Sequence, residues 1–362
     1  MPRGAIILVA LGGLVVTVAG IKAVATIVGP VFLALILTIA VHPLPARLHR
    51  RGVPTAIAVT LTIVLVYGIL GVLFVSIVFS LARLATILPE HMARFDDLTG
   101  SINDALTSHG VDTSQAHAVL RSIDSHTLLN ALTRLLESTV SITSALIFVL
   151  VLLLFMAADA VSFPARIAMV ARMRPEIADA LVTFARDTRS YLLVTTVFGL
   201  IVAVLDAGAL WALGVPLPLL WGLVSFVTNY IPNIGFVIGV APPALLAFLD
   251  GGWQSMLVVI VVYSVINVVI QSFIQPKFVG DAIDLSLTLT FLSLAFWSWV
   301  IGPLGAILAI PLTLFAKALL VDVDPSTRWA DSLVQMKVAA PDKQDHAQPG
   351  DKEETSEESP AG

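Results

Sequence analysis

The sequence predicts an all-α, polytopic helical membrane protein with about eight membrane segments. Hydrophobic residues make up 57% of the 362 positions, charged residues only 12%, and the mean hydropathy is +0.95. This composition contradicts a water-soluble chain, because the surplus apolar surface needs lipid. Apolar runs near membrane-spanning length recur along the chain, and proline and glycine interrupt those of the C-terminal half. Broken or re-entrant helices are therefore predicted there.

The first five apolar segments are each close to the length that crosses about 30 Å of hydrocarbon. They cover residues 4–21, 23–41, 54–82, 139–159 and 191–213. Only Lys22 separates the first two, which therefore form either a helical hairpin or one long bent helix. Arg3, the first apolar run and Ala23-Val24-Ala25 also imitate a secretory signal. A second apolar run follows at once, which favours a retained segment.

Proline and glycine break the remaining apolar sequence. Residues 215–249 contain five prolines, so the region is too long and too interrupted for one regular helix, and two half-helices are predicted. Residues 254–275 form a further span, and residues 285–321 form a hairpin broken at Gly302 and Pro303. The 215–249 region either enters and leaves on one side of the membrane or crosses it fully.

Basic residues near the ends of the spans predict the orientation, because lysine and arginine there tend to stay in the cytoplasm. Residues 42–52 contain three arginines and no acid, and residues 160–190 contain five arginines. Both segments are predicted to lie inside, which places residues 83–138 outside. If residues 215–249 are re-entrant, both termini are cytoplasmic. The expected location is the bacterial inner membrane.

These segments divide the chain into five regions. They are N-terminal membrane helices (1–82), an external amphipathic helical insertion (83–138), a membrane transport core (139–321), a cytoplasmic C-terminal segment (322–340) and an acidic tail (341–362). The tail contains seven acids and two lysines, which accounts for the whole formal net charge of −5. It has almost no large apolar side chain to offset its ordering entropy, so we expect disorder.

The sequence gives no sign of an enzyme. It lacks the GxxxxGK[ST] phosphate loop, the HExxH zinc motif and the GxSxG nucleophile elbow. It has no cysteine, and its seven histidines are scattered without an i, i+4 pair on a membrane helix, so neither a metal site nor another cofactor is expected. Charge outside the tail is balanced, which gives no basis for nucleic-acid binding.

Asp206 lies within the 191–213 segment and is the best chemical candidate. An unpaired carboxylate at the centre of a bilayer costs roughly 3 kcal/mol on insertion scales, so it usually faces a polar cavity or takes up a proton. Asp206 is therefore a candidate for coupling transport to a proton or another cation. The alternative is a position near the outer end of the helix, where water or a donor on a neighbouring helix satisfies the carboxylate.

The substrate-pathway candidate is the interrupted sequence Asn229-Tyr230-Ile231-Pro232-Asn233-Ile234-Gly235. Proline removes a backbone donor, and glycine permits close approach of another group. Non-helical backbone at membrane depth is tolerated inside protein or along a wet cavity, and broken helices of this kind form binding sites in transporters. The alternative is a packing kink whose amide side chains only bond neighbouring helices.

A stripe of three amide side chains extends this candidate. Asn267, Gln271 and Gln275 are spaced four residues apart and therefore lie on one face of a helix. They either line a passage or form hydrogen bonds with another helix.

Four sequence blocks, in this order and spacing, resemble the autoinducer-2 exporter family of bacterial permeases. The blocks are Leu213-Gly214-Val215-Pro216; Asn229 to Gly235 with Pro242-Pro243; Gln275-Pro276 with Gly280; and Phe291 to Leu294 through Trp297, Trp299 and Gly302-Pro303-Leu304-Gly305 to Ile310-Pro311-Leu312. The resemblance covers most of residues 20–321. It departs at Gln275, where relatives often have an acid, and this weakens a cation-coupling role at that position.

The resemblance implies about eight membrane segments, an external insertion and homo-oligomeric members, while the apolar composition implies contact with membrane lipid. It also implies export of a small polar signal such as autoinducer-2 or, in other members, sodium/proton exchange. The first functional hypothesis is therefore facilitated or proton-coupled export of a small polar solute. The alternatives are a cation/proton antiporter that uses Asp206 and a non-transporting membrane scaffold.

Overall fold

A computed structural model describes residues 2–108, 125–160, 162–232, 234–275 and 286–323. The regular structure in these ranges is entirely helical. The helices are α1 (Arg3–Ala23), α2 (Ala25–Val41), α3 (Pro43–Arg50), α4 (Thr55–Ser108), α5 (Ser125–Ala160), α6 (Phe163–Met173), α7 (Pro175–Ala212), α8 (Pro218–Thr228), α9 (Gly235–Asn267), α10 (Leu287–Ile301), α11 (Pro303–Ile307) and α12 (Ala309–Lys317). Short π-helices continue α9 over Val268–Ile274 and α12 over Ala318–Asp322.

Five helical stretches in the described part of the chain are long and apolar enough to cross a membrane, and three shorter apolar helices accompany them. The long stretches are Ala25–Arg50, Thr55–Ile87, Ser141–Ala160, Pro175–Ala212 and Gly235–Ile274, and the shorter ones are Leu8–Ala23, Pro218–Thr228 and Leu287–Ile301. The predicted fold class, an all-α polytopic membrane protein with about eight membrane segments, is confirmed.

The first two apolar segments form one bent helix. Val24, between α1 and α2, still donates its backbone N–H to the carbonyls of Gly20 (3.3 Å) and Ile21 (3.2 Å), so hydrogen bonding continues through the junction. Its φ of −112° and ψ of 23° bend the chain without reversing it. Of the two arrangements that the sequence left open, the structure has the bent helix.

One end of the bundle, which we call the basic end, carries the arginine-rich helices α3 and α6. Thr38, Thr55 and Ala160 line the same crevice there, which brings together the end of α2, the start of α4 and the end of α5. Arg189 on α7 donates its Nε–H to the carbonyl of Ile39 at 3.2 Å. Helix α7 therefore leaves from the basic end and runs to the opposite end, which we call the far end.

The interrupted region enters and leaves the bundle at the far end. Residues 213–215 follow α7, and residues 247–251 belong to the middle of α9, yet both segments line one cavity. Helix α8 therefore descends from the far end and the first half of α9 returns to it. Gly252 has a φ of 72° and reverses α9, so its second half runs back beside α7 until Ile274 packs near Val194. The structure thus has the re-entrant arrangement.

A second hairpin is formed by α10 to α12, as the break at Gly302 predicted. Gly302 has a φ of 83°, a conformation that glycine adopts without strain. Ser293 on α10 donates to the carbonyl of Ala309 at 3.0 Å, so the two arms run side by side. Phe315 on α12 packs against Phe184 near the start of α7, with ring centroids 5.3 Å apart. This hairpin therefore returns to the basic end.

Helix boundaries extend beyond the apolar segments in two places. Helix α7 begins at Pro175 rather than near Tyr191, because proline suits a first helical turn and the following polar residues still favour helix. Helices α4 and α5 continue past their membrane-length stretches into the 83–138 insertion. Residues 109–124, 276–285 and 324–362 lie outside the described ranges. The five-region division, the Gln275-Pro276 block and the disordered tail therefore stay predictions.

Candidate transport site

The break between α8 and α9 is built from successive tight turns. Ile231 donates its backbone N–H to the Thr228 carbonyl at 2.8 Å, and Gly235 donates to the Ile231 carbonyl at 3.1 Å. Gly235 is buried, and a Cβ atom at that position would overlap the Thr228 carbonyl oxygen. The turn therefore needs glycine there, while Pro232 supplies no N–H to continue a helix. Asn233, also predicted as a pathway residue, lies outside the described residues.

Three amides that the sequence singled out meet at this break in a connected series, which we call the amide chain. It consists of Asn229, Gln271 and Asn267. Gln271 donates to the Oδ1 atoms of Asn229 at 3.1 Å and Asn267 at 2.9 Å. Asn229 donates to the Thr195 carbonyl on α7 at 3.3 Å, and Asn267 donates to the Tyr263 carbonyl at 3.0 Å. The chain therefore ties the break to α7 and to the second half of α9.

Tyrosine and threonine hydroxyls form a second connection between the break and α7. The hydroxyls of Tyr230 and Thr196 are 2.6 Å apart. Because Thr196 donates its proton to the Leu192 carbonyl at 2.5 Å, Tyr230 is the donor to Thr196. Tyr191 donates to the Tyr230 carbonyl at 3.2 Å. Backbone and side chain of Tyr230 are thus both fixed against α7.

The cavities around the break differ greatly in size. A small cavity lies beside Asn229, Asn267 and Gly235, and the centre of a water molecule can occupy about 10 Å³ of it. It holds about one water. A groove of about 610 Å³ runs between α4, α7 and α8 and reaches Thr196 and Phe226. The Phe226 ring stands edge-on to the Tyr230 ring, with centroids 5.7 Å apart, so the groove ends next to the break.

Asp206 is fully buried on the face of α7 that packs against α8. Its relative exposure is 0%, and its Oδ2 accepts a hydrogen bond of 2.8 Å from the Ser225 hydroxyl on α8. The close approach of the two helices is possible because Gly222 sits one turn away, where a Cβ would lie 2.9 Å from the Ala203 carbonyl. A neighbouring helix therefore satisfies one carboxylate oxygen of Asp206.

The remaining predicted pathway residues lie outside the amide chain. Gln275 is half-buried one turn beyond Gln271, and Pro232 is half-buried within the turn. Asp159 and Arg166 form an exposed ion pair of 3.6 Å at the basic end, where it adds little stability. In the described part of the chain, no group of three or more metal-ligating side chains lies together.

Sequence reasoning missed the α7 residues that anchor the break. Tyr191 and Thr195 are spaced four residues apart on a buried face that continues to Gly199. A Cβ at Gly199 would lie 2.7 Å from the Asn229 amide nitrogen, so the glycine makes room for that side chain. Hydroxyls and a small residue on one face of a membrane helix are typical of helix packing, and this pattern could have identified the anchors.

Comparison with known proteins places the chain in a transporter family. The sequence model of the AI-2E transporter family matches residues 11–323. The chain belongs to the AI-2E transporter family. The AI-2 transport protein TqsA of Escherichia coli (strain K12) is 30% identical to it over 316 residues, which covers 87% of this chain and 91% of TqsA. The resemblance found in the four sequence blocks is therefore confirmed.

Two further relatives are similar over most of the chain. YhhT of Escherichia coli (strain K12) is 29% identical over 312 residues, covering 86% of this chain and 89% of YhhT. A protein of Haemophilus influenzae is 29% identical over 338 residues, covering 89% and 94% respectively. The names of both assign transport provisionally and give no substrate. Membership of the AI-2E transporter family favours transport over the scaffold role.

Proposed function

We propose that this protein is a secondary transporter of the bacterial inner membrane that exports a small polar solute past the α8–α9 break. The first candidate solute is an autoinducer-2-like, sugar-derived diol, a choice suggested by the name of the relative TqsA. In this proposal the basic end faces the cytoplasm, since arginine-rich segments stay on that side. Both hairpins then place the end of the described chain, at residue 323, on the cytoplasmic side.

The amide chain is the observation that carries the proposal. Amide groups at membrane depth usually bond other protein groups or line a cavity. Gln271 is exposed on the single chain, and its nitrogen holds Asn229 and Asn267 through exchangeable hydrogen bonds. A solute with vicinal hydroxyls offers donors and acceptors of the same kind. It can therefore replace the Gln271 bonds without leaving an amide unpaired.

The groove between α4, α7 and α8 supports a route to this site. Its lining is mainly apolar, but the hydroxyls of Ser76, Ser80 and Thr196 lie along it, and Thr196 contacts Tyr230 of the break. The break itself leaves room for only about one water. We therefore propose that the structure is a closed state and that α8 must move against α7 before a solute passes.

Release of a loaded solute from vesicles tests the proposal. Proteoliposomes that contain the full chain and the diol should release it faster than protein-free vesicles. Asn229→Ala and Gln271→Ala should each slow release at least several-fold, because each removes part of the amide chain. Gln254→Ala is the matched control, since Gln254 is an exposed amide near the Gly252 turn. Equal release with and without the protein would refute transport of this solute.

Cation/proton exchange is the second candidate function, and the buried Asp206 favours it. A carboxyl group inside a membrane helix commonly serves a proton or ion pathway. Proton flux driven by a sodium gradient should then occur in vesicles with the wild-type protein and fall to background with Asp206→Asn. Unchanged exchange in that variant would remove Asp206 from the mechanism while leaving solute export open.

A further inference from the structure

Two buried polar atoms at Asp206 and its neighbour Tyr263 have no hydrogen-bond partner. The Oδ2 of Asp206 accepts from Ser225, but its Oδ1 is buried and has no hydrogen-bond partner. The hydroxyl of Tyr263 on α9 is also buried without a partner, and Tyr263 is 1% exposed. Tyr263 and Ser225 line the same small cavity, and Ser225 is the hydrogen-bond donor to Asp206. Buried polar atoms normally have partners, so this coincidence needs an explanation.

The charge of the site decides how these atoms pair. Helix α8, which covers Asp206, contains no charged residue, and the titratable group that faces Asp206 from α9 is the Tyr263 phenol. Asp250, the acid in α9, is exposed at the far end. An ionised carboxylate here would have only hydroxyl donors and no cation from these packed helices. Burial of such a charge is far more costly than burial of a neutral acid.

We propose that Asp206, Ser225 and Tyr263 form a buried proton-binding site in which Asp206 is held as the neutral carboxylic acid. The bound proton sits on Oδ1 and is donated to the Tyr263 hydroxyl oxygen, while Oδ2 accepts from Ser225. Because a tyrosine hydroxyl can also donate to an ionised carboxylate, the two unpaired atoms alone do not require the proton. The lack of a cation on α8 and α9 at this buried position is what favours the neutral acid. This proposal extends the second candidate function, cation/proton exchange. It rests on that function only for the use of the proton in exchange, because protonation of Asp206 can be measured without transport.

Tyr263 connects this proton site to the amide chain. Its backbone carbonyl accepts from Asn267, and its side chain lines the one-water cavity together with Ser225, Asn229 and Asn267. Asn267 lies one helical turn beyond Tyr263. Loss of the proton would leave the Asp206 charge beside Ser225 and Tyr263, which line this cavity, and the cavity has room for only about one water. Proton exchange should therefore be slow in the closed state and should accompany opening of the break.

Infrared spectroscopy of the full chain in lipid nanodiscs tests the proton site directly. At neutral pH the wild-type protein should show a C=O stretch of a protonated carboxylic acid, and Asp206→Asn should remove it. Tyr263→Phe should keep this band but move it to higher frequency, because the acid loses its acceptor. In D₂O the band should shift slowly in the closed protein. Asp159→Asn is the matched control, since that side chain is 74% exposed and its loss should leave the band unchanged.

The outcomes separate this inference from the transport proposals. Absence of any protonated-acid band in the wild type at neutral pH would overturn it. A band that Tyr263→Phe leaves in place and unshifted would overturn the assignment of Tyr263 as the acceptor. Should Asp206→Asn not fold, the Tyr263→Phe shift still decides, because that change keeps the ring. A band without proton flux would support the site and refute only the antiporter function.

Discussion

The hydrogen bond between Gln271 and Asn229 should contribute measurably to the stability of the α8–α9 break. Bonds between polar side chains on different membrane helices average about 0.6 kcal/mol and reach about 1.7 kcal/mol. Gln271→Ala also removes the bond to Asn267, an i, i+4 contact worth about 0.2–0.5 kcal/mol. We therefore expect a total loss of about 1–2 kcal/mol. Asn229→Ala should cost about 2 kcal/mol, because it also removes the bond to Thr195 and leaves space beside Gly199.

A double-mutant cycle isolates the shared bond. Unfolding of the wild type, Gln271→Ala, Asn229→Ala and the double variant would be followed in detergent micelles. The double variant should be more stable than additivity predicts by about 0.6–1.7 kcal/mol, since the bond can be lost only once. Gln254→Ala combined with Asn229→Ala is the control pair and should be additive. Additivity of the Gln271 and Asn229 effects would refute the reasoning, because the two side chains would then not interact.

Three further changes test the glycines that shape the site. Gly235→Ala should abolish release from vesicles and lower thermal stability, because its methyl group overlaps the Thr228 carbonyl; wild-type stability in a melting experiment would contradict the tight turn. Gly222→Val should separate α8 from α7 at the Ala203 carbonyl and lower the yield of folded protein in size-exclusion chromatography. An unchanged elution profile and yield would count against close packing of the two helices. Gly252→Ala should cost about 1 kcal/mol in the same unfolding assay, because its φ of 72° strains other residues; no loss would mean that the reversal tolerates them.

The interruptions of the helices could be predicted from the sequence because proline and glycine act locally. Pro232 and Gly235 remove a donor and permit a close contact, and both effects depend only on the residue itself. The same reasoning located the turn at Gly302. It also placed a boundary at residues 250–253, between the 215–249 and 254–275 segments, and the structure reverses α9 there at Gly252. Gly251-Gly252 lies at that boundary, and a Gly-Gly pair marks a turn.

The partners of the predicted residues could not be obtained in the same way. The stripe of Asn267 and Gln271 has an obvious helical period, but period alone does not say which helix it meets. Its contact with Asn229 depends on the reversal at Gly252, a tertiary feature. The partner of Asp206 is Ser225, a single hydroxyl in an apolar helix with no distinctive spacing. Sequence therefore supplied the candidates, and packing supplied their connections.

The two hairpins converge at one depth of the bundle, which explains why the functional candidates gather there. Arg189 contacts Ile39 near the basic end. The tip of the second hairpin packs against Gly29, which helical rise places about 15 Å from Ile39. The first break packs against Gly199, which lies about 15 Å from Arg189 by the same measure. Both positions are near the middle of a 30 Å hydrocarbon core. Tyr191 connects the two hairpins, because its ring packs in the core cluster with Ile301 while its hydroxyl donates to the Tyr230 carbonyl. Broken helices that meet at the midplane from opposite ends are the arrangement in which transporters place a substrate, so movement of α7 would act on both hairpins together.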